Sequence, residues 1–137
     1  MAKQSLIPED IFEVEEDKIP PRNILINFAE DLLEKSKNKI KVDIRSTEGY
    51  LETTGVPIVV HEMIIASTQL GYYRKSFIRI AYNLTSDGYP CTIVNLIKNE
   101  EKKGNFNVEA KNSIELEEKL KEIFQTPEMK NFLKALL

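Results

Sequence analysis

The spacing of apolar side chains along the chain changes twice, and each change predicts a change of secondary structure. Apolar residues recur every three or four positions between about Arg22 and Lys37, which is typical of a helix that buries one side. Alternation of apolar and polar residues begins at Ile40 and returns in several runs as far as Ala110, which indicates strands with one buried face. Helical spacing resumes after Asn112. The pattern therefore predicts an α+β fold.

Five strands are predicted, joined in chain order by turns. The second run is more hydrophobic than the others and rich in β-branched residues, so we expect it near the centre of the sheet. Gly49 and residues 53–57 are expected to turn the chain, and residues 85–88 and 99–104 are expected to close two hairpins. The prediction is an antiparallel sheet of about five strands arranged as a meander of hairpins. The predicted strands are residues 40–45, 58–66, 76–84, 91–98 and 105–110.

Two helices are predicted in the C-terminal part of the sequence. Asn112 and Glu115 have the spacing of a helix-capping box, and Thr126 before Pro127 has the character of a second helix start. The second helix carries an apolar stripe to the last residue, so this stripe must pack against something. We therefore predict a single α+β domain over residues 21–137, with one N-terminal helix and two C-terminal helices flanking the sheet.

Residues 1–20 are predicted to form an acidic arm. Six acids and two lysines lie within residues 1–18, and apolar side chains are interleaved with the acids. Pro20 and Pro21 separate the arm from the first helix, because the residue before a proline avoids helical backbone angles. We expect a partly ordered arm that straps over the domain or over a second copy of the chain.

Composition limits the class of protein. The 137 residues, of which 42% are hydrophobic and 30% charged, suit one globular domain. A net charge of −3 argues against a basic surface for duplex DNA or anionic membranes, and no apolar run approaches the length of a membrane span. The single cysteine excludes an intramolecular disulfide. We expect a cytoplasmic protein with no cofactor and no association with membranes.

Candidate catalytic residues are few. The single histidine, His61, lacks a second histidine for a zinc site, and we expect it to be a hydrogen-bonded structural residue. Cys91 would act as a nucleophile only with a base such as His61 within reach. Asp43, Glu52 and Glu62 are the strand carboxylates that could converge in a hydrolase. We predict no catalytic residues and no metal site, and a small hydrolase is the third-ranked hypothesis.

The first-ranked hypothesis is a non-enzymatic protein–protein interaction module, such as an adaptor, inhibitor, chaperone or small subunit, that self-associates. The arm and the C-terminal helix offer more apolar sequence than one small domain needs outside its sheet, and such faces commonly bury in a partner or a symmetry mate. The residues predicted to form this interaction surface are Ile11, Phe12, Val14, Phe132, Leu133 and Leu136.

The second hypothesis is binding of a nucleotide or single-stranded nucleic acid through residues 72–79. Aromatic rings in this segment could stack on bases while its cations neutralise phosphates. We favour a plainer interpretation, in which the tyrosines close a loop against the core and the cations keep a sheet edge soluble. The residues concerned are Tyr72, Tyr73, Arg74, Lys75 and Arg79.

Overall fold

The computed structural model describes residues 6–71, 73–97 and 107–137. One 3-10 turn, Glu9–Phe12, precedes helix α1, and five strands and two further helices follow. The elements are α1 Pro21–Lys35, β1 Ile40–Tyr50, β2 Pro57–Ser67, β3 Arg74–Asn83, β4 Cys91–Asn95, β5 Asn107–Ala110, α2 Ser113–Phe124 and α3 Pro127–Lys134.

The strands form one antiparallel sheet in the order β1-β2-β3-β4-β5. This arrangement confirms the predicted α+β class, the meander topology and the interior position of the second strand. The loop predicted at residues 99–104 lies outside the described residues, but the strands on either side of it pair antiparallel as expected.

The predicted strand ends are within two residues of those observed for β2 and β3, but the ends of β1 and β4 differ by more. β1 pairs with β2 along its whole length, and Gly49, expected in a turn, lies inside β1 opposite Ile58. The extension follows from pairing, because each residue of β1 finds ladder partners on the long β2 strand whatever its own propensity. β4 ends early, at Asn95, where the side-chain oxygen accepts the N–H of Ile97 and the chain turns into a helical conformation.

The predicted helix starts are confirmed by their hydrogen bonds. The Asn112 side chain accepts the N–H of Glu115 at 2.9 Å, and the Thr126 hydroxyl accepts the N–H of Met129 at 3.4 Å. Each cap satisfies a backbone donor that has no partner within the helix. Proline in the first turn of α1 and of α3 suits positions where an N–H would be unsatisfied anyway.

All three helices pack on one face of the sheet. The ring of Phe77 in β3 lies 6.2 Å from the ring of Phe124 in α2 and 6.2 Å from that of Phe132 in α3. Phe28 in α1 stacks on Phe124 at 5.4 Å. The pairing of β2 with β3 is irregular at this point, and the bulge allows Phe77 and Ile78, adjacent in sequence, both to be fully buried.

The other face of the sheet has no part in the core. Side chains alternate between the two faces of a strand, so the residues between the buried ones point away from the helices. Among the described residues, none of the apolar side chains there belongs to the buried cluster or packs against it. These side chains are Ile58, Val60, Ile64, Ala66, Ala81 and Val94.

Candidate functional site

The sheet face opposite the helices, which we call the open face, is the most unusual surface of the described structure. An antiparallel sheet with one solvated face normally carries polar side chains on that face. β2 departs from this rule, because its open-face residues are apolar except for a single acid, Glu62, at the centre. Half-buried apolar side chains therefore surround a charged group.

Glu62 is held by three neighbours from the adjoining strands. The Ser76 hydroxyl donates to Glu62 Oε2 at 2.8 Å, Arg45 Nη2 donates to Oε1 at 3.2 Å, and Arg79 Nη2 lies 3.8 Å from Oε2. Only 12% of the Glu62 side chain is exposed. The register explains the cluster, since Glu62 lies directly opposite Arg45 in β1 and Arg79 in β3.

The cluster carries an excess of positive charge. Burial alone would raise the pKa of Glu62, but the hydrogen bonds from Ser76 and Arg45 and the charge of Arg79 together hold this pKa below its ordinary value. Glu62 is therefore ionised at neutral pH. Two guanidinium groups share this one carboxylate, which leaves one net positive charge, and the buried Nε of Arg79 has no hydrogen-bond partner. An additional carboxylate would be favourable here.

The N-terminal arm divides into a fastened part and an exposed part. Ser113 at the start of α2 donates its N–H to Asp17 O at 2.8 Å and its hydroxyl to Glu16 O at 3.2 Å, and accepts the N–H of Ile19 at 3.3 Å. The Tyr89 hydroxyl donates to Ile19 O. Residues 6–15 are exposed, and 80% of Phe12 is accessible to solvent. The arm residues of the predicted interaction surface, Ile11, Phe12 and Val14, are thus available for binding.

The C-terminal residues of that surface lie within the domain itself. Leu136 is only 3% exposed and belongs to the core, and Ser67 Oγ donates to its carbonyl oxygen at 2.6 Å. Phe132 and Leu133 are half-buried against the same core. The apolar stripe of α3 therefore covers the chain's own sheet, so Leu136 is a core residue rather than an exposed one.

The segment predicted for nucleic-acid binding does not present one continuous surface. Tyr72 lies outside the described residues. Tyr73 packs against the core, and Lys75 lines a cleft of about 630 Å³ beside α3, on the helix side of the sheet. Arg74 and Arg79 instead lie on the open face, where Arg74 pairs with Asp43 at 3.0 Å. Strand alternation and the bulge thus separate the described tyrosine from the two arginines.

His61 and Cys91 are both buried, and their contacts suit a structural role. The His61 ring is buried, with the Ser46 hydroxyl 2.7 Å from Nδ1 and the Tyr82 hydroxyl 2.7 Å from Nε2. Burial and the charge of Arg22 lower the pKa of His61, so the ring is neutral at pH 7. Burial raises the pKa of the Cys91 thiol to about 12, which keeps it protonated and unreactive. These contacts favour the structural role predicted for His61.

The three strand acids suggested for hydrolysis are not assembled as a catalytic group. Asp43 and Glu62 are each paired with arginine, and Glu52 lies in the turn beyond the end of β1. In the described part of the chain, no three His, Cys, Asp or Glu side chains come together as ligands for a metal ion. None of the described helices has both the length and the apolar character needed to cross a membrane.

A cleft lies between α1 and the C-terminal helices. Its volume is about 660 Å³, and its lining includes Phe28, Leu32 and Phe124. The lining also carries both signs of charge, including Glu34 and Lys121. The side chains lining it include no histidine, cysteine or serine.

Sequence reasoning singled out Glu62 and Arg79 separately but missed that they meet. The sequence did carry a signal: β2 is apolar on both of its faces, with one acid among the open-face residues. A strand that is apolar on both faces is typically covered on both faces. The partners of Glu62 depend on strand register, which a single sequence does not reveal. Comparison with known proteins found no family model, no curated protein and no solved structure that matches this chain.

Proposed function

We propose that the protein is a non-enzymatic interaction module that binds a polypeptide segment on its open face. The observation that carries this proposal is the set of apolar side chains flanking Glu62 on a sheet face that no described helix covers. Apolar patches rimmed by polar groups are typical of surfaces that bind other proteins. Each apolar Å² removed from water by a partner would contribute about 25 cal/mol.

The charges on the open face specify the chemistry of the bound segment. The two positive charges of Arg45 and Arg79 are balanced by only one carboxylate, that of Glu62. A segment with apolar side chains and a nearby carboxylate would bury its apolar groups on β2 and pair its acid with a guanidinium. A basic segment would place like charges together, so the open face discriminates against it.

Site-specific photo-crosslinking tests this proposal with two matched isoleucines. A benzophenone side chain replaces Ile64, on the open face, or Ile114, which is 55% exposed on α2. In cells that produce the protein natively, we expect Ile64 to give a discrete protein adduct, which mass spectrometry identifies, and Ile114 to give none. Introducing Arg79→Glu should weaken the Ile64 adduct, because the replacement repels an acidic segment.

Two results would contradict the interaction proposal. Equal labelling from Ile64 and Ile114 would mean that the open face has no special affinity, and the absence of any adduct from Ile64 would mean that it is a solvated surface. A nucleic-acid adduct from Ile64 would instead support the second-ranked hypothesis. In that case binding of a labelled single strand should fall with Arg74→Ala and with added salt.

A further inference from the structure

We infer that the segment bound on the open face is the acidic arm, residues 6–15, of a second copy of this chain. The inference rests on the proposed function and names its partner. Each copy would lay its arm on the open face of the other, so that the two contacts are related by a two-fold axis. Contacts of this reciprocal kind are the commonest way in which identical chains associate.

The arm has the chemistry that the open face requires. Between residues 6 and 15 there are four acids and no lysine or arginine. The 3-10 turn Glu9–Phe12 places two carboxylates in its first turn and exposes Ile11 and Phe12 beside them. Apolar anchors next to carboxylates match an apolar surface with arginines at its centre.

The open face complements the arm in charge and in surface character. Four cations and three acids of the described strands point to this face, which gives 4 − 3 = +1 against −4 for the arm. The guanidinium groups of Arg45 and Arg79 are partly exposed, so carboxylates of the arm could pair with them. The cations are Lys41, Arg45, Arg74 and Arg79, and the acids are Asp43, Glu62 and Glu109.

A second copy accounts for the arm better than the arm's own domain does. The arm is fastened at residues 16–19 to α2 and to the β3–β4 loop, and every residue from 6 to 16 remains exposed. Residues 6–16 are therefore not buried against the open face of their own domain. The area that a single arm could bury is small compared with the roughly 1,200–2,000 Å² buried in a stable interface. Two reciprocal arms would double that area.

Disulfide trapping between two single-cysteine variants tests the contact directly. The native Cys91 is buried and its raised pKa keeps it out of exchange, so it can remain in place. Chains carrying Phe12→Cys are mixed with chains carrying Val60→Cys, with oxidised glutathione as oxidant. We expect a cross-linked heterodimer from this pair. Chains carrying Ile114→Cys replace the Val60→Cys chains in the control and should give no cross-link above background.

Sedimentation velocity measures the same association without a cross-link. We expect a reversible dimer whose dissociation constant rises about tenfold or more with Phe12→Ala or Arg79→Glu, because each removes an anchor of the contact. Salt at about 0.5 M should also weaken the dimer, since it screens exposed charges. Ile114→Ala is the matched control and should leave the dimer unchanged.

The failing outcomes are distinct from failure of the proposed function. A strict monomer, or a dimer unaffected by Phe12→Ala, would overturn the arm exchange. An intramolecular disulfide in a dilute chain carrying both Phe12→Cys and Val60→Cys would also overturn it, because the arm would then bind its own domain. In any of these cases, a protein adduct of different identity from Ile64 in the photo-crosslinking experiment would still uphold the interaction module.

Discussion

At the scale of single residues, His61 and Glu62 are neighbours on β2 that point to opposite faces of the sheet. His61 is kept neutral on the helix side, between the hydroxyls of Ser46 and Tyr82. Glu62 is kept ionised on the open face by hydroxyl and guanidinium donors. The pKa of each is lowered, for His61 by burial and for Glu62 by donors that outweigh burial. Alternation along one strand thus places one polar group on the helix side of the sheet and the next on the open face.

The lowered pKa of His61 predicts a loss of stability in mild acid. Above the unfolded-state pKa of about 6.5 the ring is neutral in both states, and its contribution to stability is complete. As the pH falls below that value, His61 binds a proton in the unfolded chain but remains neutral in the folded chain. The free energy of unfolding should therefore fall between about pH 7 and pH 5, as measured by urea denaturation at a series of pH values.

His61→Gln is the matched variant for this experiment. Glutamine can still hydrogen-bond with the hydroxyls but does not titrate, so the slope between about pH 7 and pH 5 should flatten. The pKa of Glu62 is lowered from 4.5, so its contribution is complete above that value and is lost only at more acidic pH, which keeps the two effects apart. An unchanged slope in His61→Gln would show that other groups cause the acid sensitivity.

At the scale of elements, the β3–β4 loop fixes where α1 begins. Gly88 in this loop has φ of 106°, and a Cβ placed on it would lie 2.6 Å from Cδ of Pro21, the first residue of α1. The next residue, Tyr89, donates its hydroxyl hydrogen bond to Ile19 just before the helix. The loop and the helix start are therefore packed together without space for any side chain at Gly88.

Gly88→Ala should accordingly destabilise the protein more than an ordinary glycine replacement does. Gly55 is the control, because its φ of 69° also favours glycine while nothing lies within 4 Å of an added Cβ. We expect Gly55→Ala to lower the free energy of unfolding by about 1 kcal/mol, from the backbone conformation alone. Gly88→Ala should lower it by about 2–4 kcal/mol, because overpacking against Pro21 adds to the backbone effect. Urea denaturation of both variants measures the difference, and equal losses would mean that the contact with Pro21 is easily relieved.

At the scale of the whole molecule, the core closes through the last helix. Helix α3 brings Met129 and Phe132 onto the sheet, and Leu136 beyond its end is buried beside Ser67. The C-terminal apolar stripe is thus buried against the domain's own sheet. The exposed apolar side chains of the arm and the apolar part of the open face lie outside this core.

Two adjacent leucines test this view of the C-terminal segment. Leu136→Ala should lower the free energy of unfolding by about 2–4 kcal/mol, because it leaves a cavity in the core. Leu137→Ala should change it by less than about 0.5 kcal/mol, because Leu137 is 56% exposed. Thermal or urea unfolding compares the two. Equal, small losses would mean that the C-terminal segment is not docked as the structure shows.

Much of the fold could be predicted from local patterns. Spacing of three and four residues located α1, alternation located the strands, and the side chains of Asn112 and Thr126 located the starts of α2 and α3. The errors fell where pairing overrides local preference. Gly49 became part of β1 because β2 offered a partner for it, and no local signal showed that β4 would stop at Asn95.

The sequence by itself determined the α+β class, the meander order and the acidic, apolar character of the arm, because periodicity, capping and composition act over a few neighbouring residues. Only the tertiary structure decided which face of each strand the helices cover. That choice buried Leu136, separated Tyr73 from Arg74, and brought Arg45, Glu62 and Arg79 together from three strands. Strand register and helix docking are set by contacts between distant parts of the chain, and a single sequence does not display them.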